Sequence, residues 1–248
     1  MEAVRDHLVH CSQCADLLCL DLPETPPKEF NGLRIVRRLG GGCHGAVYLA
    51  KQLSLDRDVA VKLVREGYDE ARQAARIDHP NVVRIVDTGQ LPTGGSYIVM
   101  QYVPGRRLTE VPRPIAPELL RPLARQLAAG LAAIHAGGLV HRDLHLGNVL
   151  VHGDRVTIID FGNALRCAAP PSELPALRCQ HSPRDDVRAV GRILRHLSGE
   201  TWEPQDGALA RLVQDCVGNA QEPRDGASLL AALDQAERHD QPSQPLRD

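Results

Sequence analysis

Between Leu33 and Val103 the chain runs through five short segments rich in β-branched residues: LRIVRRL, AVYLAKQL, DVAVKLV, VVRIVDTG and SYIVMQYV. Glycine-rich and turn-forming stretches such as GGGCHG and PTGG separate several of them, which predicts five strands of an antiparallel meander. A short helical stretch, Asp69 to Ile77, breaks the series. After Pro117 the period changes, and Leu119, Leu123, Leu127, Leu131 and Ile134 recur at the steps of a helical apolar stripe. Short strands VLV and VTIID follow, then helical patterns over Val187 to Leu197, Ala208 to Val217 and Ala227 to Arg238. The order predicts an α+β, bilobal fold: a five-stranded antiparallel lobe over 33–103 and a mainly helical lobe over 104–240. Ahead of them lie a Cys/His-bearing head, 1–20, and a linker, 21–32, marked by Pro23, Pro26 and Pro27. The polar segment 241–248 reads as a disordered tail.

Composition narrows the function classes. Hydrophobic residues make up 43% of the 248, enough for a buried core, and aromatics at 3% leave that core to Leu, Val, Ile and Ala. A formal net charge of -2 provides no chain-wide basic field, so no nucleic-acid partner is expected. The most apolar candidate for a membrane span, Leu127 to Val140, is short and contains Gly130, His135, Gly137 and Gly138. Seven scattered cysteines without a signal peptide read as reduced thiols of a cytoplasmic protein with no membrane anchor in this chain.

Four motifs carry chemistry. Gly40, Gly41, Gly42 and Gly45 sit between two predicted strands, where glycine lets backbone N–H groups approach phosphate oxygens. A dinucleotide-binding turn would lead into a helix, whereas here the strand AVYLA follows; a plain Gly-rich hairpin is the other reading. On the strand DVAVKLV, alternation puts Ala60 and Lys62 on one face. Glu70, on the next helix, is a candidate partner for a Lys62 ammonium that holds phosphates; a solvated surface charge is the other reading of each. The run His141-Arg142-Asp143-Leu144-His145-Leu146-Gly147-Asn148 supplies Asp143, a carboxylate able to accept the proton of an attacking hydroxyl. Asn148, together with Asp160 of Asp160-Phe161-Gly162, offers oxygen ligands of the kind Mg²⁺ takes.

In this order the motifs resemble the eukaryotic-type, bacterial Ser/Thr protein kinase family over Leu33 to Arg238. The resemblance implies the bilobal protein-kinase fold, with ATP and Mg²⁺ (or Mn²⁺) as cofactors and a protein bearing a Ser or Thr acceptor as partner. It also implies Met100 at the back of the adenine pocket, and Gln101 and Val103 as its hydrogen-bond partners. Val47, Ala60 and Leu150 would sandwich the ring, Ala74, His141 and Phe161 would belong to the spine, and Asp186 would support the catalytic loop. Plain core is the other reading of the apolar positions.

Several positions depart from the family. His145 stands where a Lys carries charge to the moving phosphoryl group; an imidazolium can replace it, or the ring can simply pack against the loop or bond Asp143. The form HRDLHLGN also resembles the loop of aminoglycoside-type small-molecule kinases, which makes such a kinase, or a non-catalytic nucleotide-binding pseudokinase or scaffold, the alternative. His44 occupies the tip of the glycine loop, no APE motif lies between Gly162 and Asp186, and Arg224-Asp225-Gly226 replaces RPS. Finally, His7, Cys11 and Cys14 resemble an anti-sigma-type zinc segment, with an ordinary amphipathic helix as the other reading, because a closed Zn²⁺ site takes four ligands.

Overall fold

The β-branched runs form one antiparallel sheet. In the computed structural model, which describes residues 26–42, 45–64, 68–92, 94–160, 165–166, 182–199, 207–218 and 223–240, its strands are β1 (Glu29–Phe30), β2 (Leu33–Gly42), β3 (Gly45–Gln52), β4 (Arg57–Val64), β5 (Ile85–Gln90) and β6 (Ser96–Gln101). They lie in the order β1-β2-β3-β4-β6-β5. With helix α1 (Tyr68–Ala74), the sheet makes up the first of two units; the second gathers Arg76–Val83 and the chain from Val103 onward.

One face of the sheet carries the core of the first unit, in which Tyr48, Ala50, Val59, Val61, Leu63 and Val99 pack together. Phe30 joins them and meets the Tyr97 ring edge-on, with centroids 5.2 Å apart. Burying a side chain of that size contributes about 1.5–3 kcal/mol. That gain draws Glu29 and Phe30, read from the prolines as linker, into the sheet beside β2.

The fourth predicted strand starts later than its sequence suggests. Val82 and Val83 leave the sheet of the first unit: Val82 bridges Ile158, and Val83 N–H donates to the Ile158 carbonyl at 2.8 Å. Asn81 anchors this turn, donating through Nδ2 to the Val156 carbonyl at 2.7 Å and to Gln126 Oε1 at 2.9 Å. Backbone and side-chain partners in the second unit therefore outweigh the β-propensity of the two valines.

The second unit is built on α2 (Pro117–Ala136), which packs against α3 (Pro183–Ser198), α5 (Gly226–Asp240) and the strand β10 (Arg155–Ile158). Leu120, Leu123, Leu127, Leu131 and Ile134 form its buried stripe. Leu119, expected in that stripe, is 64% exposed, because at 3.6 residues per turn it lies roughly 80° from the line through Leu127. Gly226 starts α5 directly against the backbone of Leu131 and Ala132, where a Cβ would collide. Arg125 fastens the same two helices through Asp234 and Glu237. The remaining elements are β7 (Arg106–Arg107), β8 (Leu139–Val140), β9 (Val149–His152), β11 (Leu165–Arg166) and α4 (Ala208–Gly218). Among the described residues no helix is long and apolar enough to cross a membrane.

Candidate active site

The site residues fall into two groups, one in each unit. In the first unit the ladder register puts Val47 opposite Lys62 and Lys62 opposite Ile98, while Ala60 faces Met100. Cross-strand partners share a face, as do residues two apart. Val47, Ala60, Lys62 and Met100 therefore occupy the face opposite the core, as the alternation predicts for Ala60 and Lys62. Lys62 is 4% exposed. Gly40 and Gly41 pair with Val47 and Ala46, and Gly42 pairs with Gly45. Gly45 has φ +119°, and a Cβ there would collide with the Leu63 carbonyl, so the turn into β3 admits only glycine. Gln101 closes β6 and donates its N–H to the Arg84 carbonyl at 2.9 Å. Glu70 lies on α1.

In the second unit the catalytic-loop sequence is held mainly by its backbone. Asp186, on α3 and 1% exposed, accepts the His141 N–H at 2.7 Å through Oδ2 and the Arg142 N–H at 2.8 Å through Oδ1. Arg142 has φ +69°, a conformation that costs an L residue about 1–2 kcal/mol, so this clamp holds the chain against its local preference. Asn148 donates through Nδ2 to the Asp143 carbonyl at 2.8 Å, which fixes the amide and leaves Oδ1 as its ligand atom. The Asn148 carbonyl accepts the Ile159 N–H at 2.9 Å, drawing the segment that ends at Asp160 to the loop. Asp160 itself has φ +68°. Leu150 lies on β9, opposite Arg107 on β7, and Val103 is half-buried at the start of this unit.

His145 has a defined arrangement. Its Nδ1 accepts the Gly147 N–H at 3.0 Å, capping the single 3₁₀ turn Leu146–Asn148, and its Nε2 lies 3.9 Å from Asp143 Oδ1. With Nδ1 an acceptor, the ring proton sits on Nε2, facing the carboxylate.

Two residues escaped sequence reasoning. His135 on α2 accepts the Gly226 N–H through Nδ1 at 2.9 Å, so its Nε2–H donates to Asp186 Oδ2, 3.0 Å away. A histidine flanking the apolar stripe of a helix is the only signal that would have pointed to it. Arg107 donates through Nη1 to the Gly147 carbonyl at 2.9 Å, and nothing in its local sequence suggests this. His7, Cys11, Cys14, His44 and Phe161 lie outside the described residues, as do 162–164 and 167–181 of the segment read as lacking APE.

A Ser/Thr-protein kinase of Myxococcus xanthus, pkn2, is 41% identical over 150 residues, covering 53% of this chain and 18% of the relative. PrkC of Bacillus subtilis, also a Ser/Thr-protein kinase, is 36% identical over 153 residues, covering 55% and 24%. The chain thus spans about a fifth to a quarter of the length of these relatives. Among solved structures, the kinase domain of Mycobacterium tuberculosis PknI superposes with a TM-score of 0.64 at 20% identity, covering 84% of this chain and 97% of that one. That likeness shows the protein-kinase fold. Residues 33–180, which hold all four motifs, match the family described as protein kinase domain, and the chain belongs to that family.

Proposed function

We propose that this chain transfers the γ-phosphoryl group of ATP, with Mg²⁺, to Ser and Thr hydroxyls of protein substrates. The observation that carries the reading is the Asn148 bond to the Asp143 carbonyl. It ties the residue that would accept the acceptor's proton to one that would hold the metal. The donor set suits a hard cation, since Asn148 Oδ1 and the Asp160 carboxylate are both oxygen ligands. When bound, Mg²⁺ neutralises charge on the phosphates. Lys62 would hold the phosphates, with Glu70 orienting it, and the backbone of Gly40–Gly42 and Gly45 would approach them without a Cβ in the way. Val47, Ala60, Met100, Gln101, Val103 and Leu150 would receive the adenine. Asp143 would take the hydroxyl proton as the bond to phosphorus forms, a contribution of about 10²–10⁴ in rate. The relatives' names support Ser and Thr as acceptors.

Incubation with radiolabelled ATP, Mg²⁺ and a generic protein acceptor tests the proposal. Wild type should label the acceptor, and Asp143→Asn should lose labelling by at least about 10²-fold. Wild-type turnover in Asp143→Asn would remove the carboxylate from the mechanism.

A further inference from the structure

Helix α3 holds the catalytic loop with one face and carries a row of arginines on the other. Arg184, Arg188, Arg192 and Arg195 follow one another at steps of four, four and three residues. At 3.6 residues per turn they fall within a sector of roughly 80°. Arg184, Arg192 and Arg195 are exposed, whereas Val187, Val190, Ile193, Leu194 and Leu197 on the other side are buried. Among the described residues Arg188 pairs with Asp185 at 3.2 Å, and that carboxylate also accepts the Ser182 N–H at 2.6 Å. The helix's second acid, Asp186, is turned inward and engaged with His135 and the loop backbone. The outward face is therefore strongly positive in a chain whose net charge is -2.

This strip is continuous with the acceptor end of the proposed site. A cavity of about 300 Å³ has Arg142, Asp143, Asp185, Asp186 and Arg192 in its wall. Arg192 thus belongs to both the cavity and the strip. From Arg184 to Arg195 the helix rises about 16 Å, the length of roughly five residues of extended chain. A four-residue helical step is about 6 Å, close to the roughly 6.6 Å between alternate side chains of an extended peptide. Carboxylates at every second position of such a peptide can therefore meet successive arginines.

We propose that the outward face of α3 docks an acidic, extended stretch of the protein substrate, with acidic residues at alternate positions, next to the hydroxyl that enters the cavity at Asp143. This rests on the Ser/Thr phosphoryl-transfer reading and names the substrate class for it. Such surface charge acts through encounter and selectivity, and it is screened beyond about 8 Å at physiological ionic strength.

The test uses the full chain and three synthetic peptides that share one Ser acceptor and differ in alternate flanking residues: Glu, Gln or Lys. Wild type should phosphorylate the Glu peptide with a kcat/KM roughly tenfold above the Gln peptide, mainly through KM, and the ratio should shrink in high salt. In Arg192→Gln/Arg195→Gln the ratio should fall towards one, and in Arg192→Glu/Arg195→Glu the Lys peptide should become the better substrate. These exposed helical positions tolerate Gln and Glu without loss of helix propensity. Equal use of Glu and Gln peptides by wild type, or a ratio unchanged in both variants, overturns the docking strip and leaves the kinase reading standing. No labelling of any peptide or of a generic protein acceptor by wild type sinks the kinase reading and the strip with it. If the variants instead lose binding to phosphatidylserine vesicles, or lose self-association, while the peptide ratio stays at its wild-type value, the face serves a membrane or a second copy and the proposal fails.

Discussion

Replacing Asp186 by Asn tests how far the catalytic loop depends on one buried carboxylate. The two oxygens accept three N–H groups, from His141 at 2.7 Å, Arg142 at 2.8 Å and His135 at 3.0 Å. Asn keeps one oxygen and presents an NH₂ group where the other stood. Whichever way the amide turns, that group faces at least one N–H donor. His135 cannot relieve the conflict by changing tautomer, because its Nδ1 is already committed to the Gly226 N–H. A hydrogen bond to a charged acceptor contributes about 1.5–3 kcal/mol, and a buried donor left unsatisfied costs about 1–3 kcal/mol. One or two lost bonds thus destabilise the native state by roughly 3–5 kcal/mol. For a domain of this size, about 2–4 °C per kcal/mol lowers Tm by roughly 6–20 °C. Turnover should fall as well, because the loop loses either the Arg142 bond that holds φ +69°, when the NH₂ replaces Oδ1, or the His141 bond, when it replaces Oδ2. Thermal unfolding followed by circular dichroism reads the first effect, and phosphoryl transfer below the lowered Tm reads the second. A Tm within 2 °C of wild type together with unchanged turnover would refute the clamp.

Two further outcomes follow from individual side chains. His145→Asn keeps an acceptor for the Gly147 N–H, so it should retain more turnover than His145→Ala by roughly fivefold, the scale of about 1 kcal/mol for a cap; equal turnover in the two variants would show that the cap does not matter. Asp225, at the start of α5, has its carboxyl pKa lowered chiefly by the Ser228 N–H and hydroxyl, with the nearby His135 adding to the effect against a small opposing cost of burial. A carboxylate with a depressed folded-state pKa contributes stability fully above its unfolded value near 3.9 and loses it as pH falls through the folded value. Asp225→Asn should therefore melt below wild type at neutral pH and approach it below about pH 4, and a gap that is constant across that range would reject the linkage.

Much of the site was legible because it depends on residue type at fixed spacing. Alternation put Ala60 and Lys62 on one face before any coordinates, and the ladder pairs of Lys62 with Val47 and Ile98 agree. The Gly-rich turn was legible because only glycine fits at Gly45. What escaped depends on long-range partners. Val82 and Val83 read as strand but are claimed by Ile158, far along the chain. Arg107 and His135 bond to groups 40 and 91 residues away, Gly147 and Gly226, at positions where local pattern carries no information. Phe30 joined the sheet because Tyr97 supplies a ring to pack against, which the prolines around it do not announce.

Among the described residues the catalytic loop is held from several other elements. Asp186 on α3, Arg107 on β7 and the Ile159 N–H just before Asp160 each bond to it, and His141 Nε2 lies 3.1 Å from the Ile159 carbonyl. Arg224 gives its backbone N–H to the Ser228 hydroxyl at 2.8 Å, within the cap of α5. That cap reaches the loop by another route, from the Gly226 N–H through His135 to Asp186. The inward side of α3 therefore holds the loop on which the proposed phosphoryl transfer rests, while its outward arginines carry the proposed substrate docking. Because the two sets of side chains lie on opposite sides of one rigid helix, changes on the inner side should appear in kcat and changes on the outer side in KM.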